Sequence, residues 1–419
     1  MVLVLGTTNW PPRYFFRTRH KHNSSQNCPI RQMTVVFLFR LAYNSGFLCK
    51  FARRNDKHHT IHNYTLLYMK NIFLTLATMF CCLAGCTAQS DKYTSLDVAE
   101  FEKVVADDHT VLLDVRTADE YLEGHLPGAV HADVLHDDFL AQASLILPKE
   151  NTVALYCRSG KRSKKAAQIL SDNGYKVTEL STGYNGWTQA GKEVSKQEVD
   201  VFTTDNGSLV RIYCIKHGTL RMSVGGKWIY VDPVTDKVPP VTDFSTLPKA
   251  DLILITHEHP DHLDAKAISQ LTKQDTKLIT NRRCSDMLGG KGQVMKNGDS
   301  ATIGEWNIEA VPAYNTSKGK EQFHPKGRDN GFVLTIDGFR IYIAGDTEDI
   351  DEMKDIADID VAFLPCNQPF TMTPEQVATA TKTIHPKVLF PYHYGNTDIR
   401  QVSTLLKDSS TDVRIRQYQ

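Results

Sequence analysis

The chain has 419 residues, with 48 Lys and Arg against 48 Asp and Glu and a formal net charge of +0. Such a balance argues against a nucleic-acid binder, and the length suggests about two or three domains. Nine cysteines, without ribbon or scaffold spacing, exclude a small fold stapled by disulfides.

The charge balance hides an asymmetry. Residues 1–68 hold ten Lys and Arg against one acid, Asp56, and show no periodic apolar face. At Met69 the texture changes: Met69, Lys70 and Asn71 precede an apolar run from Ile72 to Leu83, then Ala84, Gly85 and Cys86. This is too short to span a bilayer comfortably and has the pattern of a signal peptide. LAGC resembles the lipobox of bacterial lipoproteins. The resemblance implies a signal over 69–86, lipidation of Cys86 and a true start at Met69, with 1–68 a mistranslated or disordered extension. It also implies an exported, membrane-anchored protein on the periplasmic or cell-surface side.

The first folded unit is expected over about 92–197. Thr94 to Asp97 reads as a capping box opening a short helix with Leu96, Val98, Phe101 and Val104 on its apolar side. VLLDV, 111–115, reads as a buried strand. A second strand, Thr152 to Tyr156, ends at Cys157, which opens CRSGKRS, and a helix continues from Lys164. Strand, glycine-containing basic loop and helix form a cradle where backbone N–H groups meet an anion. Such a cradle favours thiolate at Cys157, and Arg158, Lys161 and Arg162 add positive charge.

DVRTADEYLEGHLPGA (114–129), CRSGKRS (157–163) and GYNGW (183–187) resemble the rhodanese-like family. The resemblance implies a small parallel-sheet domain in which Cys157 carries a persulfide. Arg158, Ser159, Gly160, Lys161, Arg162 and Ser163 would form the substrate loop for a sulfane-sulfur donor or acceptor. Asp114, Arg116, Glu120 and His125 read as a structural charge network around the strand end.

The second unit is expected over about 200–419, with KEVSKQEV, 192–199, as the boundary. Strands are read at 209–215, 228–231 and 250–255, and a helix at 265–272 packing Ala265, Ile268 and Leu271. Between them lies THEHPDHLD, 256–264, with His257, His259, Asp261 and His262. Imidazoles and a carboxylate at the end of a buried strand form a borderline ligand set suited to zinc, iron or manganese. Further strands are read at 308–311, 332–336, 339–344 and 361–364, with a hairpin turn at Asp337 and Gly338. Asp346 and His393 follow two apolar runs, so distant strand ends can converge on one site. Cys214, Cys284 and Cys366 read as small core residues, and His385 as packing.

HEHPDH, GDT and PYHYG resemble the metallo-β-lactamase superfamily. VDPV, VPAYN, HPKG and FTM are similar to its ascorbate-phosphate-lactonase-like branch. The resemblance implies an αββα sandwich following the rhodanese-like domain. His257 and His259 would hold a first metal, Asp261, His262 and His393 a second, and Asp346 would bridge them. The family's third histidine on the first metal is replaced by Asn315, so that ligand is either His324 or Asn315. His217 and Asp232 match positions that orient ligands.

The expected cofactor is zinc, one or two ions, with manganese or iron as alternatives. The expected chemistry is cleavage of an ester, lactone, amide or phosphodiester in a small-molecule substrate by a metal-activated hydroxide, with Asp261 as proton carrier. One alternative is persulfide oxidation at a single iron. Another gives the rhodanese-like unit a non-catalytic, partner-binding role.

Overall fold

The computed structural model describes residues 92–416. The extension, the signal and Cys86 lie outside these residues. Among the described residues no helix is long and apolar enough to cross a membrane.

The first unit is a five-stranded parallel sheet. Its strands are β1 (Thr94–Leu96), β2 (Thr110–Asp114), β3 (Ala129–His131), β4 (Thr152–Tyr156) and β5 (Lys176–Leu180), in the order β1-β5-β4-β2-β3. Every residue of β2 is buried, as a central parallel strand requires. Its Leu113, fully enclosed, contributes about 1.5–3 kcal/mol. Helices α1 (Val98–Val105), α2 (Ala118–Glu123), α3 (Phe139–Ile146), α4 (Lys161–Asp172) and α5 (Gly183–Gln189) cover both faces. Phe101, Tyr121 and Trp187 pack one face, while Phe139, Ala143, Ala166 and Leu170 pack the other. The capping box lies one element later than the sequence reading placed it. Asp97, not Thr94, caps α1 with Glu100, because Thr94–Leu96 is pulled into strand pairing with Thr178–Leu180.

The second unit has two seven-stranded sheets. The first holds β6 (Asp200–Thr203), β7 (Leu209–Lys216), β8 (Thr219–Val224), β9 (Lys227–Val231), β10 (Leu252–Leu254), β11 (Lys277–Thr280) and β12 (Gln293–Val294), in sequential order from β12 to β6. The second runs β13 (Ser300–Ile303), β14 (Trp306–Ala313), β15 (Asp329–Ile336), β16 (Phe339–Ile343), β17 (Val361–Pro365), β18 (Val388–Tyr392) and β19 (Asp412–Val413). Ile212, Met222, Leu254, Phe332, Ile341 and Phe363 fill the space between the sheets. Helices α6 (Ala265–Leu271) and α7 (Arg282–Met287) lie outside the first sheet, and α8 (Pro374–Ile384) and α9 (Arg400–Leu405) outside the second. The result is an αββα sandwich. Helix α6 buries Ala267 rather than the expected Ala265, together with Ile268 and Leu271. His385 is an exposed left-handed cap of α8, φ 54°, rather than a packed residue.

The boundary segment is fixed in place. Ser195 and His125 exchange two backbone hydrogen bonds of 2.8 Å. Val199, Val201, Leu209 and Tyr213 join the apolar cluster of the rhodanese-like unit. Asp200 receives Arg414 at 2.8 Å and Arg416 at 2.6 Å.

Candidate metal centre

Short buried strands deliver the site. β10 is three apolar residues, LIL, paired in parallel with β9 and β11. Its C-terminal end delivers Thr256 and His257, while the end of β9 delivers Asp232. Asp264 closes the histidine loop by capping α6, accepting from the Lys266 N–H at 2.8 Å. From the other sheet, Asp346 follows β16 and His393 follows β18. His217, in the turn after β7, has φ 46°, Asp232 has 43° and His393 has 51°. Backbone strain of this kind, concentrated at one place in non-glycine residues, marks a functional site. Gly218 is required beside His217, because a Cβ there would lie 2.8 Å from the His262 ring.

Two groups of ligand atoms result. His257, His259, His324 and Asp346 form one, and His217, Asp261, His262 and His393 the other; within each, the atoms lie within 4.8 Å of one another. Asp346 reaches both. Its Oδ2 is 3.4 Å from His324 Nε2, 3.8 Å from His257 Nε2 and 3.4 Å from His393 Nε2, and its Oδ1 is 3.5 Å from His262 Nε2.

His257 Nε2, His262 Nε2, His393 Nε2 and Asp346 Oδ1 are buried and have no hydrogen-bond partner. Polar atoms so placed are costly unless something binds them. Imidazole nitrogens facing a carboxylate oxygen fit a metal cation.

The opposite edges of the rings are held. His262 Nδ1 meets Asp232 Oδ2 at 2.8 Å, and Asp232 also accepts the Thr256 N–H at 2.8 Å and its hydroxyl at 2.6 Å. His324 Nδ1 meets Asp329 Oδ2 at 3.1 Å, and Arg328 holds Asp329 at 2.6 Å. Such partners fix the ring and leave Nε2 facing the centre. Burial and then the neighbouring imidazoles push His257 well below the ordinary histidine range. Burial pushes His262 down too, but Asp346, Asp232 and Asp261 outweigh it and raise it to about 10.

The sequence left the third ligand of the first group open. The structure brings the His324 imidazole into that group, while Asn315 donates its amide N–H bonds to the carbonyls of Phe370, at 2.7 Å, and Lys320, at 3.3 Å, and leaves its Oδ1 buried without a hydrogen-bond partner. His217, read as an orienting residue, meets Asp261 Oδ2 at 3.1 Å, and it also stands within the second group, with its ring 3.7 Å from His393. The signal for it was KHG, a histidine at a tight turn ahead of a glycine.

In the rhodanese-like unit, Cys157 is buried after β4, with Ser163 Oγ 3.5 Å from its sulfur. Gly160 caps α4 with φ 88°, a left-handed conformation that closes the loop over the sulfur. Burial pushes the thiol up, but hydrogen bonds from Ser163 and the N–H groups of Ser159 and Gly160 outweigh it, so the net direction is down. Arg158 and Arg162 both pair with Glu120, at 2.8 and 2.7 Å. Glu120 therefore belongs to the loop, not to the strand-end network where the sequence reading put it. Asp114, Arg116 and Tyr156 do form that network, with bonds of 2.6 and 2.7 Å.

A sandwich of this architecture with histidines and aspartates at its strand ends defines a metallo-β-lactamase-fold, metal-dependent hydrolase, here preceded by a rhodanese-like domain. Residues 211–393 match the beta-lactamase superfamily domain and residues 97–190 the rhodanese-like domain. A UPF0173 metal-dependent hydrolase of Anoxybacillus flavithermus is 32% identical over 196 residues, covering 44% of this chain and 86% of that protein. One from Lysinibacillus sphaericus is 31% identical, covering 43% and 82%. The crystal structure of a candidate metal-dependent hydrolase from Parabacteroides distasonis is 54% identical, with a TM-score of 0.51, covering 53% of this chain and all of that one. The chain belongs to the UPF0173 metal-dependent hydrolases.

Proposed function

We propose that the chain is an exported hydrolase with two metal ions, zinc by preference, acting on a small molecule with an ester, lactone, amide or phosphodiester bond. The observation that carries this reading is Asp346 standing between two groups in which the buried Nε2 atoms of His257, His262 and His393 lack partners. His257, His259, His324 and Asp346 would hold one ion, and Asp261, His262 and His393 a second, with Asp346 shared. A nitrogen-rich set with few carboxylates suits zinc. When bound, the metal polarises the scissile bond and activates water. Asp261 is the more open carboxylate, its side chain 34% exposed, and its Oδ2 is oriented by His217. It holds the attacking water and accepts its proton. Two ligand groups sharing a carboxylate favour hydrolysis over oxidation at a single iron.

The same proposal makes Cys157 a sulfane-sulfur acceptor. Its support is the lowered thiol and the amide-lined loop of Arg158, Ser159, Gly160, Lys161, Arg162 and Ser163, with Arg158 and Arg162 as the cations that draw an anionic donor. Cys86 would carry the lipid that anchors the chain to the membrane on its periplasmic or cell-surface side.

Metal content and oxygen uptake with glutathione persulfide, measured on the chain from Cys86 onward, test the first reading. About two zinc ions per chain without oxygen uptake support it, whereas bound iron with stoichiometric uptake overturns it. Thiosulfate:cyanide sulfur transfer on wild type and Cys157→Ala tests the second; equal rates remove it. Mass analysis of the mature N-terminus tests lipidation of Cys86.

A further inference from the structure

Beneath the Cys157 loop lies a carboxylate with hydroxyl partners. Glu179, on β5, is wholly buried. Its Oε2 accepts from Ser163 Oγ at 2.9 Å, and its Oε1 accepts from Ser95 Oγ. The loop cations Arg158 and Arg162 both turn to Glu120 rather than to it. Of the elements packed around it, β1 brings Ser95, β4 brings Leu155 and, just past its end, Cys157, and α4 brings Ser163. The charged neighbours Lys161, Lys164 and Lys165 on α4 are exposed, and Lys92 pairs with Asp172 at 2.8 Å.

Ser163 has a single hydroxyl proton. With Glu179 ionised, that proton goes to the carboxylate, and Ser163 Oγ is left as the acceptor for the Cys157 thiol 3.5 Å away. An ionised Glu179 and a thiolate, one hydroxyl apart in a buried site, would repel each other strongly.

We propose that Glu179 is the proton acceptor for Cys157, acting through Ser163 as a relay. This rests on the reading of Cys157 as a sulfur acceptor. The S–H bond breaks as an O–H bond forms at Ser163 Oγ, and the original Ser163 O–H breaks as one forms at Glu179 Oε2. One negative charge moves from carboxylate to sulfur, the net charge is unchanged and nothing is oxidised. Neutral Glu179 then donates to Ser163, and Ser163 donates to the thiolate. Glu179 is thus a positioning residue, which makes the thiolate available without adding a second charge to the site.

A pair that shares one proton has a thiolate fraction independent of pH between the loss of its first and second protons. The test is the pH profile of iodoacetamide alkylation on the full chain, read at the Cys157 peptide by mass spectrometry. The expected wild-type profile has two steps with a flat region between them, whereas E179Q and S163A each give one step. A single step in the wild type, or two steps persisting in a folded E179Q or S163A, overturns the relay. Thiosulfate:cyanide transfer by the wild type is measured alongside. Its absence with a two-step profile removes the sulfurtransferase reading and leaves the relay standing.

Discussion

Asp232 Oδ2 lies 2.8 Å from His262 Nδ1, at the bottom of the metal centre, and the same carboxylate holds the backbone and hydroxyl of Thr256. Asp232 thus sets one ligand directly and a second through the residue beside His257. Asp232→Asn keeps the shape but removes the charge that orients His262. It is expected to lower metal affinity roughly 10- to 100-fold. Competition with a fluorescent zinc chelator measures this, and an unchanged affinity would count against the role given to Asp232.

His324 and Asn315 are separable. His324→Ala is expected to reduce bound zinc from about two ions per chain to about one, while Asn315→Ala leaves the stoichiometry intact. Plasma emission spectroscopy after dialysis reads both. Loss of an ion in Asn315→Ala alone would transfer the ligand to the amide oxygen.

Lys216 is a wholly buried cation whose ammonium donates to the carbonyls of Thr235 at 2.7 Å, Val238 at 2.8 Å and Pro240 at 2.7 Å. It ties the loop after Asp232 to β7. Lys216→Met fills most of the volume but strands three carbonyls. The expected loss is about 1–3 kcal/mol, measured by urea unfolding, and a stability equal to wild type would show that the loop closes without it.

Glu120 gives a pH dependence of known sign. The hydrogen bonds from Arg162, which outweigh its burial, hold its carboxyl down at about 2 from an ordinary 4.5. A depressed carboxylate stabilises the folded state above its unfolded value, and that contribution is lost as pH falls through the folded one. Between pH 4.5 and 2 the wild type is therefore expected to lose stability more steeply than Glu120→Gln. Thermal unfolding across that window checks it, with parallel curves as the contrary result.

The sequence by itself determined the two fold units and singled out most of the residues that gather in the candidate metal centre. Apolar runs such as LIL before THEHPDH and IYIA before GDT are local patterns, and a strand that ends in a polar residue announces itself without the rest of the chain. What it missed has a common physical reason. Thr94 reads as a cap until pairing with Thr178 makes it a strand. Glu120 reads as part of a strand-end network until α2 carries it to two arginines some forty residues on. His217, directly before Gly218, is ambiguous in sequence and becomes a neighbour of Asp261 only when β7 is laid beside the histidine loop. His324 and Asn315 lie in one loop, and it is the fold of that loop that brings the His324 imidazole to 3.4 Å from Asp346 Oδ2. Glu179 showed no signal at all in an otherwise ordinary strand, since a buried carboxylate acquires meaning only from the hydroxyls that packing brings to it.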